Sequence, residues 1–214
     1  FNGTSTSVNC GSEAGLDNLA DNAFEVGAWV RADGAGENNS GHIVAKDGSA
    51  AGWRLGIGGG SALPFGQLYC ATSAPQAIAT SGIDDSRWHY LSMTFDDAGD
   101  RKLRLYQDGV LVATSPAATG AIVTDAGLDL YIGNRAAGNR TWGGAIGFVY
   151  VANAINNTGT YVPPDRLNPG VMANRVAQYN FREGAGVTLD NAQGNAARDG
   201  TIANGSWNTV ADVV

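Results

Sequence analysis

Charged residues are scarce in this sequence, and most of them are acidic. They make up 15% of the 214 residues, with 13 Lys and Arg against 20 Asp and Glu, which gives a net charge of −7. A surface of this sign repels nucleic-acid phosphates at long range, and no basic run along the chain offsets it. Nucleic acid is therefore not expected as a partner.

Long apolar runs are also missing. No stretch approaches the ~20 apolar residues that a membrane-crossing helix needs, so insertion into a membrane is not expected. No signal peptide is recognisable. The chain opens on a strand-like motif at Phe1, which favours a processed or excised domain.

Cysteine and histidine occur only twice each. A chain of this length can bury enough surface to fold without a disulfide or a metal. Cys10 and Cys70 leave two alternatives open, a disulfide or two buried thiols. No His/Cys cluster has metal-ligand spacing, and no serine lies in a nucleophile-elbow pattern.

Glycine and short alternating segments are what the sequence does contain. The 31 glycines fit many tight turns between short strands. The strongest signal covers 87–113 (RWHYLSMTFDDAGDRKLRLYQDGVLVA), where 88–95 and 102–107 alternate apolar and polar residues. Asp108-Gly109 between two such runs predicts a hairpin, because a type I′ turn needs positive φ at both central residues. Together these segments predict a meander of three antiparallel strands.

Other segments continue this pattern and predict an all-β fold. Strands are predicted at 23–31, 42–46, 53–57, 67–71, 128–132, 145–151, 176–181 and 207–210. Without a long amphipathic helix, they indicate a sandwich of two antiparallel sheets. Residues 153–174 contain three prolines and are predicted to form an irregular surface crossing. Since the strands after it are needed to complete the sandwich, 1–214 is interpreted as one domain.

Motifs in many of these segments resemble one family. The meander resembles its "W-H-H … T-Y/F-D" and "Y-x-D-G" motifs. Residues 1–8, 24–30 and 130–134 resemble "F-D-G-x-x-x-x-V", "F-T-x-x-A-W-V" and "L-x-I-G-N", and YNFREGAG at 179–186 resembles "W-x-F-x-E-G-x-G". In this order they cover most of the chain, which resembles the laminin-G-like, concanavalin A-like lectin/glucanase jelly roll of bacterial surface and phage virion proteins. The resemblance implies a concanavalin A-like jelly-roll sandwich that serves mostly as a binding scaffold.

Calcium is the one cofactor that this resemblance leaves open. Relatives often hold calcium at a loop edge, but where the family has "D-E-V-R" this chain reads GFVYV at 147–151. Asp17, Asp21, Asp125 and Asp129 are acidic enough to be considered, although their spacing resembles no known calcium loop. The metal site is therefore left unknown, and no other cofactor is expected.

Catalysis is not expected. Glycosidases on this fold carry paired carboxylates as "E-x-D-x-x-E" on one strand, where one acts as nucleophile and the other as acid. The chain has no such spacing. Its adjacent acidic pairs at 84–85 and 96–97 suit turn capping, and Glu183 suits a structural turn. No residue is therefore expected to be catalytic, and a glycoside hydrolase is the third hypothesis.

The loop at 134–142 (NRAAGNRTW) has the composition of a sugar-binding site. Sugars are held by an aromatic surface with polar donors and acceptors around it, so the candidate ligand contacts are Arg135, Asn139, Arg140 and Trp142. Because Trp142 stands where the family has Phe, a place in the core is the alternative for it.

The leading hypothesis is a non-catalytic binding or adhesion domain that recognises a glycan or surface ligand. Its expected location is extracellular, on a cell surface or on a virion surface. The alternative is a structural decoration or fibre subunit, whose partners are neighbouring protein chains.

Overall fold

A computed structural model describes residues 1–48 and 50–207. Within them no helix is long and apolar enough to span a membrane, and the only helical elements are 3₁₀ turns at Ala14–Leu16, Leu19–Asp21, Glu37–Asn39 and Ala196–Arg198. The strands are β1 (Ser7–Asn9), β2 (Ala23–Ala32), β3 (His42–Asp47), β4 (Gly52–Gly58), β5 (Leu63–Leu68), β6 (Gln76–Ile78), β7 (Trp88–Asp96), β8 (Lys102–Gln107), β9 (Val110–Ala117), β10 (Tyr131–Ile132), β11 (Gly144–Ala152), β12 (Arg175–Tyr179), β13 (Thr188–Leu189) and β14 (Gly200–Ala203).

The strands form two antiparallel sheets. The order in the eight-stranded sheet is β13-β14-β1-β10-β3-β4-β5-β6, and in the six-stranded sheet it is β12-β11-β2-β7-β8-β9. The two sheets pack face to face, with the ring of Phe24 on β2 centred 5.4 Å from that of Trp53 on β4. The predicted all-β sandwich is confirmed.

Strand register in the eight-stranded sheet separates core-facing residues from outward-facing ones. At Gly66, a Cβ atom would approach the Met93 sulfur to 2.9 Å and Leu103 Cδ2 to 2.8 Å, so this glycine lets the six-stranded sheet pack closely. Its cross-strand row faces the core and comprises Val8, Ile132, Val44, Leu55, Gly66 and Ala77. Because side chains alternate along each strand, the neighbouring row points the other way and comprises Asn9, Tyr131, Ala45, Arg54, Gln67 and Gln76.

The predicted meander is present as β7, β8 and β9. Its second turn has positive φ at Asp108 (52°) and Gly109 (80°), as the Asp-Gly pair predicts. The Asp108 carboxylate also accepts a hydrogen bond from the Tyr90 backbone N–H at 2.8 Å. The turn is therefore tied to the neighbouring strand as well as to its own hairpin.

The position of one predicted strand is wrong. Residues 67–71 were expected to form a strand, but β5 covers Leu63–Leu68, and Cys70 makes only an isolated bridge to Ile122. Pro64 and Gly66 lie inside β5, and both residue types weaken a strand signal. The strand predicted at 207–210 lies outside the described residues except for Trp207. The short strands β6, β13 and β14 were not predicted.

Both cysteines are buried free thiols. Burial raises the pKa of Cys10 to about 12, so this thiol is protonated at neutral pH. Of the two alternatives that the sequence left open, the structure contains the pair of thiols.

The surface crossing is held against the six-stranded sheet by a buried glutamate. Residues 153–174 form neither strand nor helix. The Glu25 carboxylate, on β2, accepts hydrogen bonds from the backbone N–H groups of Asn156 (2.7 Å) and Asn157 (3.0 Å), from the Asn157 side chain (2.6 Å) and from the Tyr150 hydroxyl. The irregular segment therefore takes its position from one fully buried side chain.

We expect Glu25→Gln to lower the free energy of unfolding by about 2–4 kcal/mol, because an amide turns N–H groups toward groups that are themselves donors. Chemical denaturation followed by tryptophan fluorescence measures the change. Asp84→Asn removes the same charge from an exposed carboxylate and should change stability by less than about 0.5 kcal/mol. Equal stabilities of the two variants would contradict this role for Glu25.

Candidate functional site

A buried asparagine shapes the loop that the sequence singles out. The Asn134 side-chain oxygen accepts hydrogen bonds from the backbone N–H groups of Arg135 (2.9 Å) and Arg140 (3.1 Å). Its amide nitrogen donates to Thr141 Oγ1 at 2.8 Å. Both ends of the loop are therefore bonded to one side chain, and the backbone positions of Arg135 and Arg140 are fixed by it.

The same loop is joined to the segment before β3. The Glu37 carboxylate accepts from the backbone N–H and the hydroxyl of Thr141 at 3.0 and 2.9 Å. The backbone N–H of His42 donates to the Arg140 carbonyl at 2.8 Å. These bonds fix the loop beside the first residue of β3.

A cavity of about 390 Å³ lies on the outward side of the eight-stranded sheet, next to this loop. We call it the arginine-lined cavity, because the guanidinium-bearing side chains of Arg54, Arg135 and Arg140 all line it. The other lining residues are Asn39, Ser40, His42, Gly58, Gly59, Leu63, Phe65, Gln76 and Ile78. The loop, β3, β4, β5 and β6 thus all contribute to one surface.

Gly56 in β4 leaves room for the His42 and Phe65 rings to pack on this part of the sheet. A Cβ atom at Gly56 would come within 2.7 Å of the Gly41 carbonyl oxygen and 3.3 Å of the Phe65 ring. The His42 and Phe65 rings meet edge to face, with centroids 6.0 Å apart. Ile78, 48% exposed, adds apolar surface at the margin of the cavity.

Arg54 is held in place by polar groups of its own sheet. Its guanidinium bonds to the Asp47 carboxylate at 2.8 Å and to the Gln67 side-chain oxygen, and it lies over the Tyr69 ring at 5.4 Å. Burial raises the pKa of Asp47, although the hydrogen bond from Arg54 acts in the opposite direction. Arg54 is therefore the arginine of the cavity that already has a carboxylate partner.

His42 is neutral at neutral pH. It is 2% exposed, and burial, followed by the positive charges of Arg54, Arg135 and Arg140, lowers its pKa well below the ordinary value. Its Nδ1 atom has no hydrogen-bond partner within the described residues. Burial is the larger cause of this shift, and the nearby positive charges add to it because like charges disfavour protonation.

Arg135 and Arg140 have no acidic side chain within 4 Å among the residues that the structure describes. Arg135 Nε donates to the Asn139 side-chain oxygen at 2.8 Å, and Arg140 makes one long bond, 3.4 Å, to the Asn139 carbonyl. A chain with a net charge of −7 thus places three arginines around this cavity, and two of them have no carboxylate partner among the described residues.

The four predicted contacts differ in their placement. Arg135 and Arg140 line the cavity, whereas Asn139 lies outside it and holds Arg135. Trp142 is fully buried, as the core alternative required, and lies 3.2 Å from where a Cβ of Gly41 would be. It therefore supports the backbone before His42 and offers no free ring to a ligand.

Sequence reasoning missed His42, Arg54 and Phe65 as members of this site. Alternation does assign Arg54 to the face opposite Trp53 and Leu55, so the outward direction was available from the sequence. The sequence did not show that these residues lie close to 134–142. That proximity depends on the β3–β4–β5 register and on the loop that follows β10.

Two of the four acidic residues considered for calcium, Asp17 and Asp125, lie against a lysine instead. The Lys46 ammonium, fully buried, donates to the Asp17 carboxylate at 2.8 Å and to the carbonyl oxygens of Asp125 and Leu128 at 2.9 and 2.6 Å; an Asp125 carboxylate oxygen lies 3.8 Å away. Asp129 accepts from the Asn9 side chain at 2.9 Å. Within the described ranges, no three acidic, His or Cys side chains are grouped as metal ligands.

A second cavity, of about 440 Å³, is lined by aromatic residues that include Trp88, Phe181 and Trp207. The Trp88 ring is already covered, with Arg166 Cζ 4.4 Å and Arg31 Cζ 5.9 Å from its centroid. The arginine-lined cavity is therefore the candidate site.

Comparison with known proteins gives one family match. A family model described as the concanavalin A-like lectin/glucanases superfamily matches residues 2–158. A search of curated protein sequences gave no match.

Two solved structures share the fold at low sequence identity. A Bacteroides ovatus protein with a proposed carbohydrate-binding role is 17% identical, with a TM-score of 0.66, over 94% of this chain and 59% of that protein. Domains LG4-5 of the mouse laminin alpha1 chain are 16% identical, with a TM-score of 0.53, over 72% of this chain and 40% of that one. The chain thus spans little more than half, or less, of these structures.

We expect Lys46→Met to lower the free energy of unfolding by about 3–5 kcal/mol, because it leaves buried carboxylate and carbonyl oxygens without their cation. Thermal and chemical denaturation measure the loss. Lys102 is the other lysine of the chain and is half-buried, so Lys102→Met serves as the matched control and should be nearly neutral. A Lys46→Met variant as stable as this control would contradict the assignment.

Proposed function

Because the chain belongs to the concanavalin A-like lectin/glucanase superfamily, we propose that it is a non-catalytic binding domain whose arginine-lined cavity holds a glycan or another surface ligand. The observation that carries the proposal is the cavity itself. It combines guanidinium and amide donors with apolar side chains on a rigid sheet. Polar groups that converge beside apolar side chains in a concave site are typical of small-ligand sites.

The chemistry of the lining suits a sugar. A pyranose ring has an apolar face and a polar rim. Leu63, Phe65 and Ile78 supply apolar surface, and Asn39, Gln76 and the arginines supply polar partners. The Bacteroides ovatus protein has a proposed role of the same kind, but the likeness at 17% identity concerns the fold, and the proposal rests on the cavity.

The absence of lining carboxylates supports a binding role over glycoside hydrolysis. Hydrolysis on this fold needs two carboxyl groups on either side of the scissile bond. Among the described residues, neither cavity is lined by an Asp or Glu side chain. Asp47, on β3 beside the arginine-lined cavity, is buried and paired with Arg54.

The proposal implies that the domain works where such ligands are displayed. These places are outside the cell, on a cell surface or on a virion surface.

We expect the purified chain to bind members of a glycan array. Arg135→Gln and Arg140→Gln should each reduce that binding at least about tenfold, because hydrogen bonds to charged groups contribute about 1.5–3 kcal/mol. Arg87→Gln removes the same charge from an 80% exposed side chain outside the cavity and should leave binding unchanged. Light scattering run in parallel reports the oligomeric state. A chain that binds no glycan and forms a closed oligomer would favour the structural-subunit alternative.

A further inference from the structure

We propose that the ligand of the arginine-lined cavity is an acidic glycan, whose carboxylate or sulfate group is bound by Arg135 and Arg140. This inference rests on the proposed function and names the substrate class of the same site.

The charges around the cavity are not balanced by the protein. Three guanidinium groups line it, and a carboxylate partner is present only for Arg54. Arg135 and Arg140 are half-buried, so solvent screens their charges less than it would at a fully exposed position. Bringing like charges together here is unfavourable until an anion binds between them.

The two arginines keep donors free for such a ligand. Among hydrogen bonds of the described residues, Arg135 uses only its Nε, and Arg140 uses one Nη in a long 3.4 Å bond. The terminal nitrogens of a guanidinium form a planar fork that fits two oxygens of a carboxylate or a sulfate. The terminal nitrogens that remain available on these arginines are the donors that bidentate recognition requires.

The loop holds both arginines before any ligand arrives. Asn134 fixes the backbone at Arg135 and at Arg140, and Asn139 fixes the Arg135 side chain through Nε. Less conformational freedom is then lost when the ligand binds, which favours affinity. The apolar wall at Leu63 and Ile78 argues for an anion carried on a sugar ring over a bare anion.

Nucleic acid has the same anionic chemistry but is a poor fit. The chain carries a net charge of −7, which repels a polyanion before contact. The three arginines line one cavity of about 390 Å³, whereas a protein that follows a nucleic-acid backbone carries a stripe of basic residues. A short acidic substituent avoids most of this repulsion.

Three forms of one polysaccharide test the charge requirement, namely dextran, dextran sulfate and carboxymethyl-dextran. We expect the two acidic forms to bind and dextran not to bind, and the relative affinities of the acidic forms to show whether sulfate or carboxylate is preferred. Arg135→Gln and Arg140→Gln should each weaken binding about 10-fold or more. Arg87→Gln removes an equal charge, so it measures the loss expected from ion exchange alone.

The outcomes separate this inference from the proposed function. If neutral glycans on the array bind and lose binding in Arg135→Gln and Arg140→Gln, the site stands and the anionic requirement fails. If the acidic dextrans bind but Arg87→Gln weakens them as much as Arg135→Gln does, binding is non-specific and the inference is overturned. If neither the dextrans nor the array glycans bind, the proposed function fails as well.

The two histidines provide an independent readout by NMR. His42 faces Arg54 from β4 and Arg135 and Arg140 from the loop, with Asp47 paired behind Arg54. A bound anion offsets these positive charges, so the pKa of His42 should rise when carboxymethyl-dextran oligosaccharides are added. His89 bonds to Asp108 at 2.7 Å, which raises its pKa, and its resonance should stay in place. An unchanged His42 titration at saturating ligand would contradict binding in the cavity.

Discussion

The packing of the two sheets is the constraint on which the rest of the structure depends. Apolar side chains of β1, β3, β4 and β10 must face the six-stranded sheet, and Gly66 in β5 must leave room for Met93 and Leu103. Side chains alternate along a strand, so a shift of register by one residue would expose the core. The same register therefore sends Arg54 and Gln67 outward, and the candidate site follows from the way the core is buried.

Irregular segments are attached to this sandwich by buried polar side chains. Glu25 holds the crossing at 153–174, Lys46 holds the segments around Asp17 and Asp125, and Asn134 holds the loop that carries the arginines. In each case one side chain satisfies several backbone or side-chain groups that would otherwise be buried without partners, which is costly. Loops of this kind keep fixed positions without regular secondary structure.

The charges of the arginine-lined cavity are only partly paired within the protein. Lys46 and Arg54 each have a carboxylate partner, whereas Arg135 and Arg140 do not within the described residues. An arrangement that costs stability and is held rigidly by neighbouring groups is what a binding site needs, because the ligand then supplies the missing charge. Burial is the largest cause of the lowered pKa of the adjacent His42, and the same positive charges add to it.

The sequence by itself determined the class of fold, the meander with its Asp-Gly turn, and the loop that supplies two of the cavity's arginines. These features depend on residues close together in the chain, whose alternation and turn chemistry are local properties. Only the tertiary structure decided that Trp142 belongs to the core and that Lys46 lies between Asp17 and Asp125. It also decided that His42, Arg54 and Phe65 lie beside the loop. Each of these outcomes depends on contacts between segments distant in sequence, set by strand register and sheet packing. The sequence-based prediction put this strand at 67–71 instead of at β5 for a related reason. Pro64 and Gly66 have little local preference for a strand, and pairing with the neighbouring strands accommodates them in β5.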